Sequence, residues 1–366
     1  MLNQNWIAKL KHSNYYIVLT KINAERIERE LSKQFDLPST DLSLLARSLN
    51  ASFIKQQDYP IELIDRLYAK SFSTAENWSF ARAIADRLTS NDVVFCPGEE
   101  IGIPLAKIYG SQRERPKIVS WLHRITGLRT RTVLKLFALN NSIDLFVVSN
   151  SINKEFLVSY LNLSPEQVLF LWHPIDTKYF DFRVGSKTRS SKPRAVVMSV
   201  GLEYRDYQLL AAATADLNVE VKIAGFSQFQ SRTAKCLPKV MPKNMSNQKY
   251  SWSELIELYR QADLVIICLK ENTAAAGVTV LLEAMCCKKP IICSRTQGIK
   301  DYLSDETAIV SVKPGDAGEL RRAILYLLNN PKEAWQRAER AFQLAAQRHD
   351  LERQVEVLTK FVSTIE

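Results

Sequence analysis

Short apolar runs alternate along the chain with longer segments whose apolar residues recur at helical spacing. In the first half the short runs are Tyr15–Leu19, Asp92–Cys96, Lys117–Leu122, Leu145–Ser149 and Val168–Trp172. Each has strand length and is rich in β-branched or aromatic residues. Between them Ala24–Gln34, Ile61–Ser71, Ala75–Leu88 and Ile152–Tyr160 read as amphipathic helices. This alternation predicts a parallel sheet covered by helices. Residues Arg183–Arg194, rich in Ser, Lys and Arg, read as a linker. The alternation then restarts. Strands are predicted at Ala195–Val200, Val219–Ala224, Leu264–Leu269, Pro290–Cys293 and Ala308–Val312, and helices at Tyr207–Leu217, Trp252–Gln261, Val278–Cys286 and Ala317–Leu328. The expectation is an α/β chain of two Rossmann-like domains facing a cleft at the carboxyl ends of their strands. The first domain is expected over residues 1–183, with a helix over 350–366 returning to it, and the second over 194–349.

Composition narrows the function classes. The chain has 366 residues, 46% hydrophobic and 24% charged, a globular balance with room for two cores. No run approaches the roughly 18 apolar residues of a spanning helix, and the N-terminus lacks the apolar core of a signal peptide. A cytoplasmic location is expected, at most peripheral to the inner face of a membrane. The formal net charge of +10 suits an anionic substrate or membrane surface, or simply a solvated basic exterior. Nucleic acid is disfavoured, because no RNP, zinc-finger or KH signature is present. The six cysteines show no zinc spacing and read as buried free thiols.

The segment Glu271-Asn272-Thr273-Ala274-Ala275-Ala276-Gly277-Val278-Thr279 joins a strand to a helix through small residues. Free N–H groups at such a helix start hold phosphate oxygens, and a glycine permits close approach. Glu283 lies within the apolar helix that follows. It either accepts hydrogen bonds from ribose hydroxyls or pairs with a nearby Lys or the backbone. Arg205, after Ser199-Val200-Gly201, is either a phosphate cation or a surface residue paired with Asp206.

Here the chain resembles glycosyltransferase family 4, retaining enzymes of the GT-B fold. The resemblance rests on Gly277–Met285, Lys289-Pro290-Ile291-Ile292 and Gly298-Ile299-Lys300-Asp301-Tyr302-Leu303, and extends to Ser199–Tyr207, Lys117–His123, Val148–Ser151 and Leu171–Phe180. It implies a donor site of Gly201, Arg205, Gly225, Glu271, Asn272, Gly277, Val278, Thr279 and Glu283. Arg205 and His123 are then the catalytic residues, with Glu283 on the ribose. Several positions depart from the family. Ala275 stands where the first motif Glu belongs, Leu202 where an Arg is usual, and His173-Pro174 where Asn-Gly is usual. No glycine lies in Thr20–Ala24, where the family has a Gly-rich loop.

The resemblance implies transfer of a hexose, with retention, from a UDP-, GDP- or ADP-sugar to a sugar, glycan, lipid or small-molecule acceptor. No cofactor and no metal are expected, since no Asp-x-Asp triplet is present. A basic, apolar segment after His123 (Arg124, Leu128, Arg129, Arg131, Val133, Leu134, Lys135, Leu136, Phe137) suggests either a contact with anionic membrane or a solvated helix. A GT-B sugar-nucleotide epimerase and a degenerate binding subunit are the alternatives. Nicotinamide, flavin and P-loop chemistry lack their GxGxxG and GxxxxGK[ST] signatures.

Overall fold

The structure is a computed structural model that describes residues 14–32, 37–125, 127–181, 193–225 and 236–365. The expected linker falls mainly on residues outside these. The chain forms two compact units.

The first unit runs to Trp172 and is completed by the segment from Leu351 onward. Its sheet contains β1 (Tyr15–Leu19), β2 (Ser52–Lys55), β3 (Val93–Cys96), β4 (Lys117–Trp121), β5 (Leu145–Val148) and β6 (Val168–Phe170). They lie in the order β2-β1-β3-β4-β5-β6, every pair parallel. The strand residues divide by parity. Val18, Val94, Cys96, Ile118, Phe146 and Val148 enter one core, while Ile17, Leu19, Phe95, Val119, Trp121, Leu145 and Val147 enter the other. A sheet buried on both faces needs helices on both. The second of these cores is covered by α1 (Lys21–Ser32), α2 (Asp41–Ser48) and, from the far end of the chain, α13 (Leu351–Ser363). The first is covered by α4 (Ala75–Ala85), α5 (Glu99–Tyr109), α6 (Leu128–Leu136) and α7 (Ser151–Leu161), and a shorter helix, α3 (Leu63–Ala69), adjoins it.

The second unit spans His173–Asp350. Its strands are β7 (Ala195–Val200), β8 (Val219–Ala224), β9 (Met245–Asn247), β10 (Leu264–Ile267), β11 (Ile291–Ser294) and β12 (Val310–Val312). Their order is β12-β11-β10-β7-β8-β9, again all parallel. Renumbered within the unit this is 3-2-1-4-5-6, the dinucleotide-binding order, and the order reverses between β7 and β10. The helices are α8 (Tyr207–Thr214), α9 (Trp252–Gln261), α10 (Val278–Cys286), α11 (Ala317–Asn329) and α12 (Pro331–Arg348).

Two strands are silent in the hydrophobic pattern, and both are edges. β2 (SFIK) buries one residue, and β9 (MSN) is three residues of mixed polarity. An edge strand packs on few neighbours, so alternation is weakly imposed on it. The dividing line between units falls at Trp172/His173, earlier than residue 183. The reason is local pairing within the second unit. Ile175 bridges to Asp350, its N–H donates to His349 O at 2.9 Å, and Thr177 Oγ1 donates to Asp350 Oδ2 at 2.7 Å.

Leu351, Val355, Leu358 and Val362 of α13 are all buried in the first unit's core, at helical spacing. Leu358→Ala should therefore cost about 2–5 kcal/mol in urea denaturation. Exposed Glu356→Ala on the same helix should stay within about 0.5 kcal/mol.

Candidate donor site in the second unit

The carboxyl ends of β7 and β10 carry the two loops of interest. Gly201 follows β7 with φ +92°, and Gly277 opens α10 with φ +86°. Both conformations are left-handed and suit glycine. The first loop is stitched to the end of β10. Asp206 N donates to Cys268 O at 3.0 Å, Lys270 N donates to Tyr204 O at 2.8 Å, and Arg205 bridges to Leu269. Tyr207 Oη donates to Gly201 O at 2.5 Å.

These bonds drive Arg205 inward, leaving it only 3% exposed. Its Nε donates to Val200 O at 2.7 Å and its Nη1 to Glu203 O at 2.9 Å. Among the described residues Nη2 has no acceptor and the guanidinium has no carboxylate partner. Asp206 is not that partner; its side chain caps α8 by accepting from Leu209 N. The surface ion pair considered from the sequence is therefore absent. A Cβ on Gly201 would lie 2.8 Å from Nη2, and one on Gly277 would lie 3.5 Å from Nη1. The cation thus sits between the two glycine turns, beside the start of α10. The first-turn N–H groups of Val278 and Thr279 have no intrahelical partner, and the helix dipole makes that end positive.

A histidine missed as a site residue also lies here. His173 Nε2 is 3.4 Å from Thr279 Oγ1. The His173 N–H donates to Tyr302 Oη at 3.2 Å, and its carbonyl accepts from His349 Nδ1 at 3.2 Å. The rings of Tyr302 and His349 stack at 5.4 Å. In the sequence His173 showed only as a departure from Asn-Gly, and its one signal was a position shortly after a strand.

The remaining candidates divide. Glu283 is buried on α10 and accepts from Tyr259 Oη at 2.7 Å. Burial and the adjacent carboxylate push the Tyr259 phenol well above its ordinary range. One Glu283 oxygen is thus held by a tyrosine. Glu271 Oε1 accepts from Gln297 N at 3.0 Å. Asn272 Nδ2 donates to Lys270 O at 2.8 Å, while its buried Oδ1 meets no donor among the described residues. Gly225 has both backbone groups on one amide: its N–H donates to Asn247 Oδ1 at 3.0 Å, and its carbonyl accepts from Asn247 Nδ2 at 3.1 Å.

His123 belongs to the first unit, at the end of β4. Its exposed ring stacks on Trp121 at 5.6 Å, and Nε2 donates to Pro97 O at 3.0 Å. The carboxylate of Glu99, at the start of α5, accepts from His123 N at 2.9 Å and Arg124 N at 3.2 Å. Burial raises the nearby carboxyls of Asp41 and Glu100 above their usual range.

No group of three or more metal-ligating side chains occurs among the described residues. All six cysteines are free; five are buried, and burial raises those five thiols. Cys236 is half-buried.

Desolvation holds the buried His349 imidazole down at about 4. An unfolded histidine takes up its proton near pH 6.5. Between these values the unfolded state binds more protons, so stability is complete above the upper value and is lost as the pH falls. We expect the second unit to lose at most about 3 kcal/mol from pH 6.5 to 4. Urea titrations across that range should show the limb flattened in His349→Gln.

Residues 182–344 match the family model of glycosyl transferases group 1. No curated protein matches the chain. Among solved structures, sucrose-phosphate synthase from Thermosynechococcus elongatus superposes with a TM-score of 0.72 at 13% identity, covering 96% of this chain and 98% of that one. Anabaena HepE in complex with UDP and glucose gives 0.67 at 14%, covering 96% and 100%. A glycosyltransferase from Rickettsia africae gives 0.68 at 13%, covering 96% and 98%. The chain therefore has the GT-B glycosyltransferase fold of two parallel-sheet Rossmann-like units, and most of its second unit matches the group 1 glycosyl transferases.

Proposed function

We propose that the chain is a retaining glycosyltransferase that takes a hexose from a nucleoside diphosphate-sugar. The observation that carries this reading is Arg205: a buried cation without a carboxylate partner among the described residues, placed between two glycine turns and beside a helix N-terminus. Burying an unpaired charge costs several kcal/mol, and a bound diphosphate would offset that cost. HepE, with the same fold, has been captured with UDP, with UDP-glucose, and with UDP and glucose. This supports a UDP-sugar ahead of the GDP- and ADP-sugars also compatible with the loops. The acceptor is a hydroxyl of a sugar, glycan, lipid or small molecule.

In this reaction the bond between the anomeric carbon and the β-phosphate oxygen breaks, and its electron pair goes to the phosphate. Arg205 Nη2 and the N–H groups of Val278 and Thr279 bear that developing charge more strongly than the ground state. His173, fixed at Thr279, supplies a further donor in place of the cation lost at Leu202. The acceptor hydroxyl attacks from the face of departure, and its proton passes to the leaving oxygen. Glu283, held by Tyr259, orients the ribose. No metal is required, because Arg205 and the α10 dipole supply the positive charge that a divalent ion supplies elsewhere.

Two outcomes test this. Arg205→Gln should lower turnover about 10- to 100-fold, the worth of one charge-assisted hydrogen bond, and should abolish the rise in melting temperature that UDP gives the parent chain. Turnover within twofold of the parent would remove Arg205 from the phosphate. Activity should survive EDTA; its loss, with recovery on adding manganese, would overturn the metal-free mechanism. Incubation with donor alone should yield no epimerised nucleotide sugar.

A further inference from the structure

The first unit exposes leucines where a solvated helix would carry polar side chains. On α3, Leu63, Ile64 and Leu67 face solvent, and on α6 Leu128 and Leu136 do so, with exposed Thr132 between them on one face. Leu63 is 86% exposed and Leu128 83%. The two helices adjoin. The Arg129 guanidinium in the first turn of α6 donates to Lys70 O at 2.8 Å and Ser71 O at 2.5 Å, at the carboxyl end of α3. Tyr68 of α3 meets Phe137, just beyond α6, edge-on at 6.2 Å. The inner faces are anchored by buried Asp65, which holds Arg82 at 2.8 Å, and by buried Val133 and Leu134. The leucines therefore point outward from a fixed base.

The charge around them has one sign. Arg66, Lys70, Arg129 and Lys135 are exposed on the same two helices. Of the nearby carboxylates, Asp65 is buried, and Glu62 is paired with Arg82 at 2.9 Å. Arg131 is turned inward over the Phe156 ring at 4.7 Å, and Lys135 lies 4.2 Å over the Tyr160 ring. A second copy of the chain docking on this face would set like charges against each other. An anionic bilayer meets both requirements, with acyl chains for the leucines and phosphates for the cations.

We propose that α3 and α6 form a docking surface for anionic membrane. Leu63, Ile64, Leu67, Leu128 and Leu136 enter the boundary between headgroups and acyl chains, and Arg66, Lys70 and Lys135 engage lipid phosphates. The contact is peripheral, since no helix among the described residues is long and apolar enough to span. It is independent of the donor site.

The test is co-sedimentation of the full chain with vesicles of phosphatidylcholine alone or mixed with phosphatidylglycerol. The chain should pellet with the mixed vesicles only, and high salt should release it. Leu63→Ser/Leu67→Ser/Leu128→Ser and Arg66→Gln/Lys70→Gln should each weaken binding about tenfold or more. Both variants should keep the parent's melting temperature, because the altered side chains are exposed. A parent chain that stays in the supernatant with both vesicle types overturns the proposal, as do variants that bind like the parent. A dimer in size-exclusion chromatography that the leucine variant dissolves, without vesicle binding, assigns the face to a second copy instead.

Discussion

A guanidinium held out of water, hydrogen-bonded among the described residues to carbonyls alone, organises the loops at the strand ends of the second unit. Arg205 reaches its position because the loop after β7 is tied to the end of β10 by main-chain bonds on both sides of it. Those two strands flank the point where the sheet order reverses. At that point neighbouring connections leave on opposite faces and open a crevice beyond the strand ends. Gly201 and Gly277 line the approach to the charge; a Cβ at Gly201 would crowd the guanidinium at 2.8 Å, and one at Gly277 would clash with Ile267 at 2.9 Å. The positive end of α10 points to the same place. Strand order, two glycines and one helix dipole thus converge on the same cation, which supports the diphosphate site proposed above.

Much of this architecture was legible in the sequence, for physical reasons. A strand buried on both faces must be apolar throughout, so the interior strands β3, β5 and β10 announce themselves as runs. The edge strands bury little, and their residues are free to be polar. Gly277 stood out because the chain must change from strand to helix within a few small residues. The partners of the site were less visible. Nothing local in the sequence says that Tyr259 meets Glu283, or that Asn247 closes both backbone groups of Gly225; each pair joins elements that only the sheet order brings together. His173 was hidden for the same reason, since its neighbours Thr279, Tyr302 and His349 are far along the chain.

The departures from the family pattern acquire a physical reading in the three-dimensional arrangement. With Leu202 in place of an arginine, the loop keeps one guanidinium, and His173 stands at the helix entrance where it can add a donor. Ala275 removes a carboxylate from the loop before α10. Glu271, in the same loop, accepts from the Gln297 amide through one of its two oxygens. The buried Oδ1 of Asn272 in that loop meets no donor among the described residues.

The route of the polypeptide has a consequence for how the molecule is made. Nearly all of the second unit lies in one stretch, His173–Asp350, which can close as soon as it leaves the ribosome. The first unit emerges earlier, yet the surface formed by Ile17, Leu19 and Leu45 waits for α13, which is made only after the stretch His173–Asp350. Until α13 has been made, that apolar face stays bare, and a nascent chain in this condition is open to chaperones, proteases and self-association.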